Sequence, residues 1–367
     1  MNKAFFINGG AGRILCSIPA LEHHAKVNDD FVIVAESWGD LYLTSPILRD
    51  RAFPMQHKNL FEDYLKDKEI ISPEPYRLNA YFNQKANLIQ AFDMLINDLK
   101  EVPETKDLKL ELPKEIQVVG HNITGEVREK LGKDKVVVFQ PFGSTVKVEG
   151  NFIIDTSGRS FEIANVYSII EELKKDYGVI LMSSIDIPGW DKLGVAKPQN
   201  AGLLEWTGII NSADYFIGCD SVGQHMAHGL NKPATVVIGS TYPENISYPG
   251  NKNFNIVDLG YEKRRYTPIR ISFDQCADLH NESLMIMESD KQIKELKRSI
   301  SNKIGISKKE KNNTLLSTSN QYTGTGNPTI MNSSSRKESA VDALLTGPKK
   351  KTVKKTAIDK VLELDKK

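Results

Sequence analysis

The apolar run from Ala4 to Ile7 stops at Asn8, Gly9 and Gly10, and Ile14, Leu15, Ile18, Leu21 and Ala25 then recur at helical spacing. A short continuous apolar run reads as a strand and a 3.6-residue recurrence as a helix, so the opening predicts strand, tight loop, helix. Phe31 to Ala35 is a second run of strand length. From there to Tyr81 the chain is irregular and rich in proline and aromatic residues, long for loops, and part of it is expected to form helices that periodicity does not place. Leu88, Phe92, Leu95 and Leu99, with Ile89 and Ile96 widening the stripe, mark an amphipathic helix. Glu101 to Ile116 alternates charges and prolines without periodicity, as connections between domains do.

Val136 to Phe139, Val179 to Met182, Tyr215 to Ile217 and Thr235 to Ile238 are short β-rich runs with helical patterns between them, Val222 to Gly229 being the last of these. Phe254 to Val257 adds a further candidate strand. Strands alternating with helices argue for an α/β protein with parallel sheets covered by helices on both faces. Ser283 to Ile304 predicts a final charged helix, expected to return and brace the first domain. After Ile306 the composition turns to Ser, Thr, Asn, Gly and Lys, which cannot build a core; a short helix near Val353 to Leu364 is the one element expected there. Since domains divide beyond roughly 100–150 residues, the 367 residues are assigned as a first domain over 1–115, a second over 116–306 and a disordered basic tail over 307–367.

Charge sharpens that division. The net charge is only +1, yet the tail holds 13 Lys and Arg against 6 Asp and Glu, or +7, which leaves −6 for the body. Cys16, Cys219 and Cys276 are far apart with no C-x-x-C pair, against a disulfide framework or structural zinc site. The first apolar run is too short for a secretory core, and no run approaches the roughly 18 apolar residues of a membrane span. A cytoplasmic location is the expectation.

The candidate chemistry follows the strands. Gly9-Gly10-Ala11-Gly12, Pro141-Phe142-Gly143-Ser144, Ser183-Ser184-Ile185-Asp186, Asp220 to His225 and Gly239-Ser240-Thr241 each come directly after a predicted strand. In an open parallel sheet the carboxyl ends of the strands open onto one crevice, where ligands bind. Glycines there let the backbone approach a ligand, and the next helix presents unpaired N–H groups to phosphate. A nucleoside diphosphate is the guest such a crevice suits. Asp220 is a candidate acceptor for sugar hydroxyls, Ser221 with the Val222 and Gly223 amides a diphosphate cradle, and His225 a donor to leaving-group charge. Asp220 and Ser221 read equally well as a helix cap.

With these motifs the chain resembles glycosyltransferase family 9, which includes the lipopolysaccharide heptosyltransferases. Gly10-Ala11-Gly12 and Pro19-Ala20-Leu21 match its first loop and helix. Ala213-Asp214-Tyr215-Phe216-Ile217-Gly218-Cys219-Asp220-Ser221, with His225 and Ala227 in register, matches its late motif, and Gly239-Ser240-Thr241-Tyr242-Pro243 its closing turn. The resemblance frames residues 1–260. It implies the GT-B fold, two Rossmann-like domains facing a central cleft, with the donor on the second domain and transfer with inversion. Gly10 and Gly12 would form the cleft loop, and Gly143, Ser144, Arg159, Asp220, Ser221, Gly223 and Thr241 would hold a nucleotide-sugar donor. Lys197 to Leu204 lies where relatives contact the nucleotide base.

Two departures stand out. The acidic residue of the family's first loop, thought to be its catalytic base, is Arg13 here, and the glycine after Asp-Ser is displaced to Gly223. Arg13 cannot accept a proton at neutral pH, so Glu36 and Asp40, at the end of the second strand, are the replacement candidates, with His57 and Glu74 behind them. No Asp-x-Asp triplet occurs, so no metal and no cofactor is expected. Lys349-Lys350-Lys351 and Lys354-Lys355 form a patch suited to polyanions. Body and tail together resemble the divergent glycosyltransferases of large phages, some of which decorate hydroxymethylated DNA bases, so the acceptor is read as DNA or a lipopolysaccharide or surface glycan. Two alternatives remain: a noncatalytic nucleotide-sugar-binding protein that has lost its base, and a dinucleotide-dependent oxidoreductase, whose G-x-G-x-x-G is incomplete at Ser17 although Glu36 ends the second strand.

Overall fold

The structure, a computed structural model, describes residues 2–150, 152–155, 157–264 and 284–307. The tail beyond Ser307, with its lysine clusters and the expected Val353–Leu364 helix, lies outside them. The elements of the first part are β1 (Lys3–Ile7), α1 (Ala11–Val27), β2 (Phe31–Ala35), β3 (Ala52–Pro54), β4 (Glu69–Ile71), α2 (Asn79–Phe82) and α3 (Leu88–Ile96). Then follow α4 (Lys114–Leu131), β5 (Val136–Gln140), the hairpin β6 (Val146–Glu149) and β7 (Phe152–Asp155), α5 (Ile163–Leu173), β8 (Gly178–Leu181) and α6 (Leu203–Ser212). The last are β9 (Tyr215–Cys219), α7 (Val222–Gly229), β10 (Ala234–Ile238), α8 (Pro243–Ile246), β11 (Phe254–Asp258) and α9 (Asp290–Ile304).

Two parallel sheets result, each with an internal strand-order reversal. The first runs β3-β2-β1-β4 and the second β11-β10-β9-β5-β8. In the first, β1 pairs on one side with β2 and on the other with β4; in the second, β5 pairs with β8 and β9. The reversal points therefore fall between β1 and β4 and between β5 and β9. At such a point the crossovers leave in opposite directions and open a crevice at the strands' carboxyl ends.

The continuous apolar runs become strands because both faces are covered, and every residue of β2, β5, β8, β9 and β10 is buried. One apolar cluster extends from Phe5, Ile14 and Leu21 of the first part to Ile123, Val138 and Ile209 of the second. Residues 97–113 contain no helix or strand, but they are pinned to both sides. Leu108 and Leu110 are buried, the Leu110 amide donates to the Gly229 carbonyl (2.9 Å) and the Glu111 amide to that of Thr44 (2.8 Å).

The irregular stretch before Tyr81 forms two short edge strands, 3₁₀ turns at Gly39–Thr44 and Pro75–Arg77, and a single wide turn at Phe61–Leu65. Helix α3 ends at Ile96 rather than Leu99, with Asp98 in the left-handed region (φ 51°). The final helix is a correction. It begins at Asp290, and Ile293, Leu296 and Ile300 bury against the second sheet beside α5 rather than bracing the first domain. That face of the sheet would otherwise stand open to water. Among the described residues no helix is long and apolar enough to cross a membrane.

Candidate active site

Both reversal points face one cavity of about 870 Å³. Its first wall is made by the loop after β1, Asn8 to Arg13, and by Glu74, Tyr76 and Arg77 after β4. The opposite wall is made by Gln140 at the end of β5 and Phe142–Thr145 after it, by Arg159, and by Asp220–Val222 and His225 at and within α7. Ser183, Ser184 and the segment Lys197–Leu203 close the second side.

Of the residues singled out from sequence, Gly10, Gly12, Arg13, Gly143, Ser144, Arg159, Asp220, Ser221 and His225 line this cavity, whereas Glu36, Asp40, Gly223 and Thr241 do not. Glu36 is exposed and accepts a long bond (3.4 Å) from the Gly9 amide. Asp40 is exposed at the first 3₁₀ turn, where partial desolvation and the nearby Glu205 raise its carboxyl above the usual range. The amide of Gly223 is spent on Gln140 Oε1 (3.0 Å). A Cβ at Gly223 would lie 2.4 Å from that same oxygen, so this glycine serves close packing and its amide is not offered to a ligand. Thr241 stands behind the wall and donates to Asp220 Oδ2 (2.7 Å). The closing turn misses the cavity because β10 is one strand removed from the reversal point.

The first loop depends on glycine at two places. Gly9 takes φ +85°, and a Cβ at Gly12 would come within 3.0 Å of His225 Cδ2. Gly12 thus lets α1 approach α7, and Cys16 one turn later lies 3.5 Å from His225 Nδ1. Residues from the two sheets share a wall there.

Ser221 is the residue before α7, but its side chain caps nothing; its Oγ accepts from Gln140 Nε2 (3.1 Å). The cap reading therefore does not describe Ser221, which lines the cavity. Asp220 is buried and accepts from Gln224 Nε2 (2.6 Å) and Thr241 Oγ1 (2.7 Å). Burial pushes its carboxyl up, against the opposing pull of Arg159 and these two donors.

A hub that sequence reasoning missed is Asp155. Its Oδ1 accepts from Thr145 Oγ1 (2.5 Å) and from the Ser157 amide (2.8 Å) and hydroxyl (2.6 Å), and its Oδ2 from the Ser160 amide (3.0 Å) and hydroxyl. Desolvation alone would raise this carboxyl, but the donors from Ser157, Ser160 and Thr145 hold it down at about 2. It fastens the turn that presents Arg159, whose Nε donates to Ser157 Oγ (3.1 Å). Burial works against the Arg159 charge, and the neighbouring Asp220, Tyr76, Cys219 and Asp155 together more than offset that. Arg13 and Lys197, by contrast, are ion-paired with Glu74 and Asp186. Among the described residues no carboxylate lies within ion-pair distance of Arg159. The Asp-Thr-Ser-Gly-Arg-Ser stretch after an unrecognised hairpin was the available signal. Trp38 was missed as well; it lines the cavity in the left-handed region at φ 62°, a conformation a bulky residue adopts only under constraint.

His225 is buried, and desolvation, with His228 and Arg159 nearby, lowers its pKa to about 3, so the imidazole is neutral. Its Nδ1 lies 2.7 Å from the Tyr248 hydroxyl. Tyr248 is held un-ionised by burial, and donation of its O–H to Nδ1 leaves the thiol of Cys16 to donate onward. The reverse arrangement would leave the hydroxyl proton a weak sulfur acceptor. The favoured tautomer carries its proton on Nε2. His228 stacks on Tyr248 (centroids 3.5 Å apart, 9° between planes), and desolvation lowers it to about 4.

Both histidines bind protons more readily unfolded than folded, so the stability they allow is complete above about pH 6.5 and falls as pH drops toward 3. The slope reaches about 1.4 kcal/mol per pH unit for His225 and is smaller for the partly exposed His228. The raised Asp220 carboxyl acts with the opposite sign. Urea unfolding between pH 7 and 5 is expected to show a shallower acid loss in His225→Gln than in the parent; equal slopes would contradict this assignment.

The fold and cleft define a class: two Rossmann-like units whose ligand crevices meet, the GT-B arrangement. Solved structures agree. The E. coli ADP-heptose lipopolysaccharide heptosyltransferase II has a TM-score of 0.55 at 13% identity, covering 82% of this chain and 99% of that one. A glycosyltransferase family 9 protein of Veillonella parvula gives 0.57 at 11% identity over 82% and 98%. The iron-containing dodecameric glycosyltransferase TibC of enterotoxigenic E. coli gives 0.52 at 11% identity over 82% and 80%. The chain therefore has the fold of the family 9 heptosyltransferases. No protein-family model matches it, and neither does any curated protein sequence.

Proposed function

We propose that this protein transfers a sugar from a nucleoside-diphosphate donor to an acceptor hydroxyl, with inversion and without a metal ion. The carrying observation is the meeting of both reversal points on one cavity whose second wall holds Arg159, with no carboxylate partner among the described residues, beside the start of α7. An oriented guanidinium and a helix N-terminus together suit a diphosphate and the charge it gains on leaving. The Nε2–H of a neutral His225 adds a donor on the same wall. TibC has been solved with ADP-D-β-D-heptose, which supports a nucleotide-sugar here, and Lys197–Leu203 on the same cavity is the segment read as meeting the nucleotide base. The acceptor is read as a hydroxyl on DNA or on a surface glycan, entering from the first wall.

Calorimetric titration of the full chain with ADP, UDP and GDP and their sugar conjugates tests the reading. At least one diphosphate should bind in the micromolar range, with its monophosphate at least tenfold weaker. If none binds, glycosyl transfer from such donors is excluded.

A further inference from the structure

The cavity contains a carboxylate for which the chain's own organisation leaves one role. Among the described residues only two carboxylates line it, Glu74 and Asp220. Asp220 stands on the phosphate-binding wall, is buried, and has a hydrogen bond on each oxygen. Glu74 stands on the facing wall, in the loop after β4 and directly across the first reversal point from the β1 loop. Its Oε1 accepts from Arg13 Nη1 at 2.8 Å, and its Oε2 has no partner among the described residues.

Arg13 is itself immobilised. Its Nη2 donates to Asn8 Oδ1 (2.9 Å) and to the Pro73 carbonyl (3.1 Å), and its guanidinium lies 5.1 Å from the Tyr76 ring centroid and 5.7 Å from that of Phe92. The guanidinium thus acts as a bracket that orients the carboxylate by one oxygen and leaves the other open to the cavity. The remaining candidates fail on geometry or chemistry. Glu36 and Asp40 are outside the wall, and the Nδ1 of His225 is engaged by Tyr248.

We propose that Glu74 is the general base of the transfer reaction, held in place by Arg13; this rests on the glycosyl-transfer reading above. With the diphosphate against Arg159 and α7, an inverting attack must come from the facing side, where Glu74 stands. Its free carboxylate oxygen takes the proton from the acceptor hydroxyl. The hydroxyl oxygen forms the new bond to the anomeric carbon, and the bond from that carbon to the phosphate oxygen breaks, its electron pair leaving on the nucleoside diphosphate. The acidic residue absent at position 13 is supplied, on this account, from 61 residues later in the chain.

The test uses the full chain with ADP-heptose, UDP-glucose and GDP-mannose as donors and water as acceptor, following release of the nucleoside diphosphate, with ADP, UDP and GDP affinities measured alongside. Glu74→Gln is expected to lower the release rate roughly 100-fold or more, within the span of general base catalysis, while diphosphate Kd values stay within about threefold. The acidic limb of the parent's rate profile should vanish in this variant. Glu74→Asp, which keeps the carboxylate but shortens its reach, should lose rate while keeping that limb, and it stands in if the Gln variant does not fold. A Gln variant within threefold of the parent, or the same loss reproduced only by Asp40→Asn, overturns the assignment and leaves glycosyl transfer standing. A parent chain that neither binds these diphosphates nor consumes any donor overturns the transfer reading, and this assignment falls with it.

Discussion

Arg159→Ala is expected to weaken nucleoside-diphosphate binding by roughly 30- to 1000-fold, the equivalent of about 2–4 kcal/mol for losing a charge-assisted contact in a partly desolvated site. What sets Arg159 apart is how the cations around the cavity are paired. Arg13 and Lys197 are already ion-paired to Glu74 and Asp186, so their charges are largely cancelled before a ligand arrives. Arg159 has Asp220 near it but not within ion-pair distance, and the one side-chain bond it makes among the described residues runs from Nε to Ser157, which leaves the fork of the guanidinium available. Arg159→Lys should recover part of the affinity, because charge is kept while the two-pronged geometry is lost. Calorimetry with the diphosphate that binds the parent chain decides the matter. Binding by Arg159→Ala within threefold of the parent would remove Arg159 from the phosphate site.

The largest expected loss of stability comes from a single methyl group at Gly120. Helices α4 and α6 cross with their backbones almost touching: a Cβ at Gly120 would lie 2.0 Å from the Gly208 carbonyl oxygen, and one at Gly208 would lie 2.3 Å from that of Ile116. Neither neighbour is a side-chain tip that can swing aside. The helices would have to part, opening the cluster that contains Ile123, Val127, Trp206 and Ile209. Overpacking of this kind costs about 1–3 kcal/mol and more where backbone must move, against a gain of about 1 kcal/mol from replacing glycine by alanine in a helix. Gly125 on the same helix faces open space, so Gly125→Ala should realise the propensity gain alone. Urea unfolding should move the midpoint down for Gly120→Ala and up for Gly125→Ala. A Gly120→Ala midpoint at or above the parent's would show that the crossing is not tight.

These expectations divide between what periodicity revealed and what it could not. The buried strands β1, β2, β5, β8, β9 and β10 were legible because each is a short apolar run covered on both faces, and α3 and α7 because their apolar residues recur at helical spacing. The polar clusters after those strands were legible as a group for a related reason: parallel strands place all their carboxyl ends on one side. The hairpin β6–β7 was not, since its residues are largely exposed and carry little apolar contrast. Neither was β4, a three-residue edge strand of which two residues are exposed. With β4 unseen, Glu74 had no strand end to belong to and ranked behind Glu36 and Asp40.

By itself the sequence determined the class of the fold, most strands of both sheets, and a set of glycine and hydroxyl residues at the strands' carboxyl ends. Tertiary structure decided which of them meet. Strand order is set by hydrogen bonds between segments tens of residues apart, and periodicity within a segment contains nothing about its neighbour. That order put β4 beside β1 and β5 beside β9, brought Glu74 to Arg13, left Thr241 behind Asp220, and turned the charge of Arg159 toward the space between the sheets.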